Sequence, residues 1–186
     1  MHEWRGSVRT EHLTLRPWRP DDLAAFRFIN ADSEVMALMP SPLDAQQSDA
    51  QALRIMDDIA TRGWGLWAVE VPGEADFIGY VGLNEPASLM PFQTKGGQCV
   101  EMAWRLARPY WGRGYASEAA RAALDFGFSK VGLAEIVAYT VPHNHRSRKV
   151  MERIGMVRDE QGDFDHPILA AGHPLRRHVL YRKGRP

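Results

Sequence analysis

The chain has 186 residues, 23 Lys+Arg against 23 Asp+Glu, one cysteine and 45% hydrophobic residues. A chain of that length buries a real core without staples, and its zero formal charge argues against a nucleic-acid binder held by bulk phosphate attraction. The lone Cys99 excludes an intramolecular disulfide framework and paired-cysteine metal or redox motifs, and no apolar run nears the ~20 residues that a membrane-spanning helix requires.

Residues 1–10 are polar and charged and carry no signal-peptide core, so a cytoplasmic location and no membrane association are expected. Residues 12–16 (HLTLR) alternate as a strand closed by Pro17 and Pro20. Asp21 or Asp22 then caps a helix through Leu23, Phe26, Phe28 and Ile29. Pro40 and Pro42 break the chain, and Ser48 or Asp49 restarts it into a second helix carrying Leu53, Ile55, Met56 and Ile59, stopped near Gly63. Strand-like runs at 66–71 (LWAVEV) and 77–83 (FIGYVGL) form a hairpin through Pro72-Gly73-Glu74. Residues 87–97 lack periodicity and read as a loop, and 100–106 (VEMAWRL) as another strand. A helix over 117–130 follows, with a small face at Ala116, Ala119, Ala120 and Ala123 suited to close packing on a sheet. Residues 135–141 (EIVAYTV) read as a buried strand, and Asn144 caps a helix over 146–153 that Gly155 ends. The tail predicts a weak strand over 156–159, an irregular segment over 163–174 and a last strand over 178–182. No repeat, composition shift or linker divides the chain, so one α/β domain with a mixed sheet is expected over 1–186.

The informative stretch is the strand, glycine turn and helix from 100 to 130. Gly112 and Gly114 let the backbone approach a ligand, and they place amides at a helix N-terminus, where unpaired donors and the helix dipole favour an anion such as a pyrophosphate. A tight turn with glycine for geometry alone is the plain alternative. A Walker loop fails, because Tyr115 and Ala116 follow Gly114 where Lys-Ser/Thr is needed. A dinucleotide fingerprint, and with it an oxidoreductase, fits poorly. Ser117 stands where Gly or Ala is required, Glu135 lies at the wrong end of the next strand, and too few elements follow.

At these residues the chain resembles the GCN5-related N-acetyltransferase (GNAT) superfamily, and most closely its branch of ribosomal-protein N-terminal acetyltransferases (RimJ/RimL-like). The superfamily's acyl-CoA motif is Gln/Arg-x-x-Gly-x-Gly/Ala, read here as Trp111-Gly112-Arg113-Gly114-Tyr115-Ala116, with Trp111 in place of Gln/Arg. The Trp-Gly-x-Gly-Tyr-Ala form followed by Ser117-Glu118-Ala119 resembles that branch. A second motif, Asn144-His145-Arg146-Ser147 and then Ile154-Gly155-Met156, is similar to the family's Asn-x-x-Ser helix ending in Leu/Ile-Gly-Phe. The likeness runs from Leu13-Thr14-Leu15-Arg16-Pro17 to the final strand.

The resemblance implies a mixed, mostly antiparallel central sheet flanked by helices, with acetyl-CoA as co-substrate and an amine acceptor. It implies that Trp111, Gly112, Arg113, Gly114, Tyr115 and Ala116 hold the pyrophosphate. The strand bearing Trp104 and Leu106 would run beside the pantetheine, one of its backbone N–H groups polarising the thioester carbonyl. Asn144 would bond the pantetheine or a water, and Ser147 would protonate the departing thiolate, since no tyrosine stands among Val150, Met151, Glu152 and Arg153. Glu101, set by strand alternation opposite Val100 and Met102, is the candidate general base; a solvent-facing or arginine-paired carboxylate is the alternative.

Other features read more plainly. His143 and His145 are surface residues in a turn, and Arg146, Arg148, Lys149 and Arg153 form a solvated basic face with one or two near the CoA 3′-phosphate. His166, His173 and His178, with Asp163 and Asp165, match no ligand spacing, so no metal is expected. Trp4, Trp18, Trp64, Trp67, Trp104 and Trp111 are mostly core, with Trp64 and Trp67 candidates for the acceptor pocket. Cys99 lacks an activating neighbour, so attack is expected to be direct in a ternary complex. A non-catalytic acyl-CoA-binding sensor or interaction module of the same fold is the competing reading. The acceptor stays open among protein N-termini, amino acids, polyamines and aminoglycosides, as does the choice between monomer and homodimer.

Overall fold

The computed structural model describes residues 6–186, so Trp4 and the first five residues of the polar N-terminal stretch lie outside the described residues. The elements among them are strands β1 (Val8–Arg9) and β2 (Thr14–Arg16), helices α1 (Asp22–Ala31) and α2 (Ala45–Arg62), and strands β3 (Leu66–Glu70), β4 (Gly79–Asn84) and β5 (Glu101–Leu106). Helix α3 (Tyr115–Phe126), strand β6 (Glu135–Thr140), helix α4 (His145–Arg153) and strands β7 (Val157–Asp165) and β8 (Arg177–Gly184) follow. The hydrogen-bonded strand order is β1-β2-β3-β4-β5-β6-β8-β7. The sheet is mixed and mostly antiparallel, and β5 and β6 run parallel through the single register pair Glu101↔Val137. The chain packs as two compact units, Met1–Gly82 with Ala103–Ala122, and Leu83–Met102 with Ala123–Pro186.

In the first unit, Leu13 and Leu15 are buried, each worth about 1.5–3 kcal/mol against exposure. Trp18, Phe26, Phe77 and Tyr80 form an aromatic cluster whose Trp18 ring lies 5.0 Å from both Phe26 and Phe77. The indole does not waste its donor: Trp18 Nε1 donates to the Leu66 carbonyl at 2.7 Å. The expected hairpin is present, with Leu66↔Gly82 and Ala68↔Tyr80 in register. Asp22 is the first residue of α1 rather than a side-chain cap, and its carboxylate takes two bonds from Arg16 and one from the Arg19 amide.

Helix α2 begins three residues before the predicted Ser48. Asp44 accepts from the Gln47 amide at 2.8 Å while Gln47 Oε1 accepts from the Asp44 amide at 3.0 Å, a reciprocal capping box. Ser48, predicted to cap, is fully buried and accepts instead from Asn30 Nδ2 at 2.9 Å. Trp67 is a fully buried core residue and Trp64 is nearly so, with Arg62 over its ring at 5.7 Å.

The second unit is built on β6, β8 and β7. Val137, Leu180, Phe164 and Met90 form its apolar centre, with Phe92, Cys99 and Tyr139 packed against it. Helix α3 runs into this unit with Ala123 and passes at Gly127 into a π-helix over Gly127–Val131, so the predicted 117–130 helix starts two residues early and its end is met, with the last stretch wound as π rather than α. Strand β7 runs through Asp165, longer than the predicted 156–159, and takes in the start of the segment read as irregular. It is mostly polar, with Phe164 its one buried residue, and its pairing is broken between Asp159 and Phe164. Arg182 holds it by donating to Asp159 at 2.7 Å.

Candidate active site

The glycine turn lies in the first unit. A 3-10 turn, Arg108–Tyr110, leads out of β5, and Trp111 Nε1 folds back to donate to the Leu106 carbonyl at 2.8 Å. Gly112 and Gly114 have φ of 77° and 85°, the left-handed region that disfavours any Cβ, and a Cβ on either would meet nothing within 4 Å. Glycine is therefore required by the backbone, while the space beside the turn is open. The first α3 bond runs from the Glu118 amide to the Gly114 carbonyl at 3.0 Å. The Tyr115, Ala116 and Ser117 amides precede it and have no intrahelical acceptor, which suits an anion.

Two contacts fix this turn. Glu118 accepts from Thr10 Oγ1 at 2.5 Å and from the His12 amide at 2.8 Å, pinning the start of α3 to the turn before β2. Arg113 is less available than the motif implies, because its Nη1 donates to Glu74 at 2.7 Å and its guanidinium lies 5.2 Å from the Tyr110 ring. Trp104 is half-buried and Leu106 buried on β5. Gly114→Ala should cost about 1–2 kcal/mol of left-handed strain. Thermal melts should show that loss, and calorimetric titration should show weakened acetyl-CoA binding as the amides shift.

Glu101 and the second motif lie in the other unit. Glu101 is half-buried, and its Oε1 accepts from Asn84 Nδ2 at 2.6 Å. The Tyr139 hydroxyl acts on the same carboxylate and draws its pKa down. No cation pairs with it among the described residues, so the arginine-paired alternative does not hold. Burial is the largest influence and pushes the carboxyl above the usual carboxylate range, against the opposing pull of the Tyr139 and Asn84 bonds. Burial and the Glu101 charge push the Tyr139 hydroxyl well above the ordinary tyrosine range. Neither Asn84 nor Tyr139 was singled out from sequence. The available signal was a tyrosine inside an apolar strand, whose hydroxyl must find a partner.

Asn144 is the predicted cap of α4. Its Oδ1 accepts from the Ser147 amide at 3.2 Å and its Nδ2 donates to Thr140 Oγ1 at 2.9 Å. Both ends of this amide are thus engaged, while the half-buried Ser147 hydroxyl has no protein partner among the described residues. His143 and His145 are exposed, as expected, though only His143 lies in the turn and His145 opens α4. Arg148 is structural, donating to the Pro142 carbonyl at 3.0 Å and the Tyr181 hydroxyl at 3.2 Å. The His166 and His178 rings lie 5.1 Å apart and tilted at 49°, and burial lowers the pKa of both, whereas His173 accepts from the Leu175 amide. Burial, with the Glu101 charge behind it, pushes the Cys99 thiol up to about 11, which leaves it a protonated, poor nucleophile at neutral pH.

A mixed sheet with an open-amide glycine turn at a helix start is the arrangement of an acyltransferase. An acetyltransferase of the same family from Bacillus anthracis has this fold, at 26% identity and a TM-score of 0.78 over 97% of this chain and 99% of that one. The Acetyltransferase (GNAT) domain model matches residues 12–157, and the chain belongs to that family. It is 30% identical over 154 residues to the uncharacterized N-acetyltransferase YnaD of Bacillus subtilis, covering 82% of this chain and 83% of YnaD. Mycobacterium smegmatis RimJ, solved in complex with CoA-disulfide, shares the fold at 20% identity, with a TM-score of 0.75 over 99% of this chain and 90% of that one. The family implies acetyl-CoA as co-substrate, and the open space and unpaired amides at the glycine turn fit a pyrophosphate. Among the described residues no helix is long and apolar enough to cross a membrane.

Proposed function

We propose that residues 1–186 work as one cytoplasmic N-acetyltransferase domain, monomeric or homodimeric, that acetylates a primary amine by direct attack in a ternary complex. The Trp-Gly-x-Gly-Tyr-Ala-Ser-Glu-Ala run supports a place in the RimJ/RimL-like branch. The observation that carries the reading is Glu101, a largely buried carboxylate bonded by the neutral Asn84 amide and influenced by the neutral Tyr139, with no cation paired to it among the described residues. A structural carboxylate gains nothing from that environment, whereas a base that must take an amine proton gains basicity from it.

When bound, acetyl-CoA supplies an activated thioester whose thiolate leaves as the amine nitrogen bonds the acyl carbon. Trp111, Gly112, Arg113, Gly114, Tyr115 and Ala116 hold the pyrophosphate, and β5 at Trp104 and Leu106 lines the pantetheine. Glu101 takes the proton that the amine sheds. Asn144 would orient the pantetheine or a bridging water, and the Ser147 hydroxyl would hydrogen-bond the leaving sulfur and relay to it a proton taken up from water. That sulfur is acidic enough (thiol pKa ~8.5) to need only a weak donor.

CoA release measured over a panel of primary amines tests this. Turnover with at least one amine and intersecting initial-rate lines are expected. Tight acetyl-CoA binding without any turnover would leave a non-catalytic acyl-CoA module. Cys99→Ala should leave turnover and the intersecting pattern unchanged, because a thiol held protonated at neutral pH cannot carry the acetyl group; an inactive, folded variant would require a covalent route.

A further inference from the structure

Glu118 stands in the first turn of α3, inside the first unit, and three donors from the turn before β2 converge on its carboxylate. Thr10 Oγ1 donates to Oε1 at 2.5 Å, the His12 amide to the same oxygen at 2.8 Å, and His12 Nδ1 lies 2.9 Å from Oε2. The carboxylate side chain is only 21% exposed, whereas that of His12 is 54% exposed. The His12 ring also lies 6.4 Å from that of Tyr115, the first residue of α3. Its other nitrogen, Nε2, is 3.8 Å from Glu11. The charged and titratable groups that face this imidazole are therefore Glu118 and Tyr115 from α3 and Glu11 from its own segment.

A carboxylate in the first turn of a helix is stabilised by the helix dipole, but it uses the same positive end that the Tyr115, Ala116 and Ser117 amides offer to a pyrophosphate. A Glu118 that keeps its full charge therefore works against the anion that the glycine turn fits. Thr10 and the His12 amide are neutral donors, and they fasten the carboxylate without cancelling that charge. The His12 ring does both. As an imidazolium it donates through Nδ1 and offsets the negative charge; as the neutral Nδ1–H tautomer it keeps the bond to Glu118 and offsets nothing. Losing the proton thus leaves the fastening intact and changes only the potential at the turn. The Glu118 hydrogen bond raises the His12 pKa above its ordinary value against an opposing desolvation, and the charges of Glu118 and Glu11 add to the rise, which carries the imidazolium closer to neutral pH.

We propose that His12 is a positioning residue for acetyl-CoA: its imidazolium neutralises Glu118 so that the start of α3 receives the pyrophosphate, and binding of the cofactor takes up a proton at this ring. This rests on the cofactor reading of the glycine turn above and adds a residue outside both motifs to it. By linkage, an anion bound at the turn raises the His12 pKa further. The added affinity is then complete below the pKa of the free protein and lost as pH rises through that of the complex.

The test is calorimetric titration of acetyl-CoA between about pH 6 and 9, in buffers of different ionisation heat so that proton uptake is read directly. The cofactor's own phosphates also titrate, so the wild type is compared with His12→Asn at each pH. Asparagine sets an amide donor where Nδ1 stands and carries no charge. The wild type should bind about two- to fivefold more tightly than His12→Asn at the acid end, the fold-change that a charge in a helix's first turn commands, and match it at the alkaline end. It should also take up more protons on binding near the His12 pKa. His12→Lys keeps a charge throughout and should hold the tighter value at both ends. His12→Asn combined with Glu118→Gln removes both charges and should recover most of the affinity that His12→Asn loses, which a merely structural contact would not do. Should His12→Asn not fold, His12→Lys carries the test, matching the wild type in acid and exceeding it in alkali. A wild type to His12→Asn ratio that stays constant across the range, with equal proton uptake, would overturn the inference, as would a double variant weaker than His12→Asn alone. Failure of the wild type to bind acetyl-CoA at any pH would instead overturn the cofactor reading, and this inference with it.

Discussion

Glu101→Gln is expected to cut turnover by about 10²–10⁴-fold, the usual worth of a positioned general base, while leaving acetyl-CoA affinity unchanged. The substitution keeps the shape of the side chain and an oxygen for the Asn84 bond, so it removes little beyond the ability to hold a proton. Because burial raises the Glu101 carboxyl, the protonated form persists above the usual carboxylate range and the rate should rise with pH as the group ionises. The sign for stability is opposite. A carboxyl raised on folding contributes stability that is complete below its unfolded pKa and lost as pH rises through its folded pKa. Glutamine never ionises, so above that folded value the variant should melt at a higher temperature than the wild type while turning over far more slowly. Rate–pH profiles, calorimetric acetyl-CoA titrations and melts on the same samples check all three. Parallel loss of affinity and turnover would mark Glu101 as structural, and unchanged turnover would remove it from the mechanism.

Much of the route to this site was legible in the chain, for reasons that differ from element to element. The 66–71 and 77–83 runs paired as a hairpin because Pro72-Gly73-Glu74 admits little else. Asn144 acted as a cap because its short amide reaches the Ser147 amide three residues on. Alternation placed Glu101 opposite the buried Val100 and Met102. What stayed hidden was set by partners distant in sequence. Ser48 looked like a cap, but its hydroxyl is claimed by Asn30, 18 positions earlier, and Asp44 caps instead. Strand β7 shows no alternation because a single buried apolar residue, Phe164, anchors it, and ion pairs of Arg182 and Arg158 support the rest. Arg105 carries no local sign of burial at all, since its acceptors lie 75 and 54 residues away. The motifs located the chemistry, and tertiary contacts set the environment that tunes it.

Arg16→Met is expected to be the most destabilising single change in the first unit, at about 3–5 kcal/mol, the cost of stranding a buried charge. Arg16 spends its whole fork internally. Nη1 and Nη2 donate to the two Asp22 oxygens at 2.8 Å each, Nε donates to Glu70 at 2.9 Å, and the Pro17 and Asp76 carbonyls take the rest. Methionine fills the same volume but leaves Asp22, only 3% exposed, facing an apolar interior with the Arg19 amide as its remaining donor. The partners sit just after β2, on the first turn of α1, at the end of β3 and on the approach to β4, so the loss loosens the frame from which α1 presents Asn30 to Arg105. Arg16→Lys should fail nearly as badly, because a point charge cannot make the bidentate pair and still reach Glu70. The decisive comparison is the double variant Arg16→Met with Asp22→Leu. Removing both charges removes the stranded carboxylate, so the pair should be clearly more stable in urea melts than Arg16→Met alone, a non-additivity of the kind seen for residues in contact. Equal losses in the single and double variants would mean that the guanidinium contributes by packing and not by neutralising Asp22.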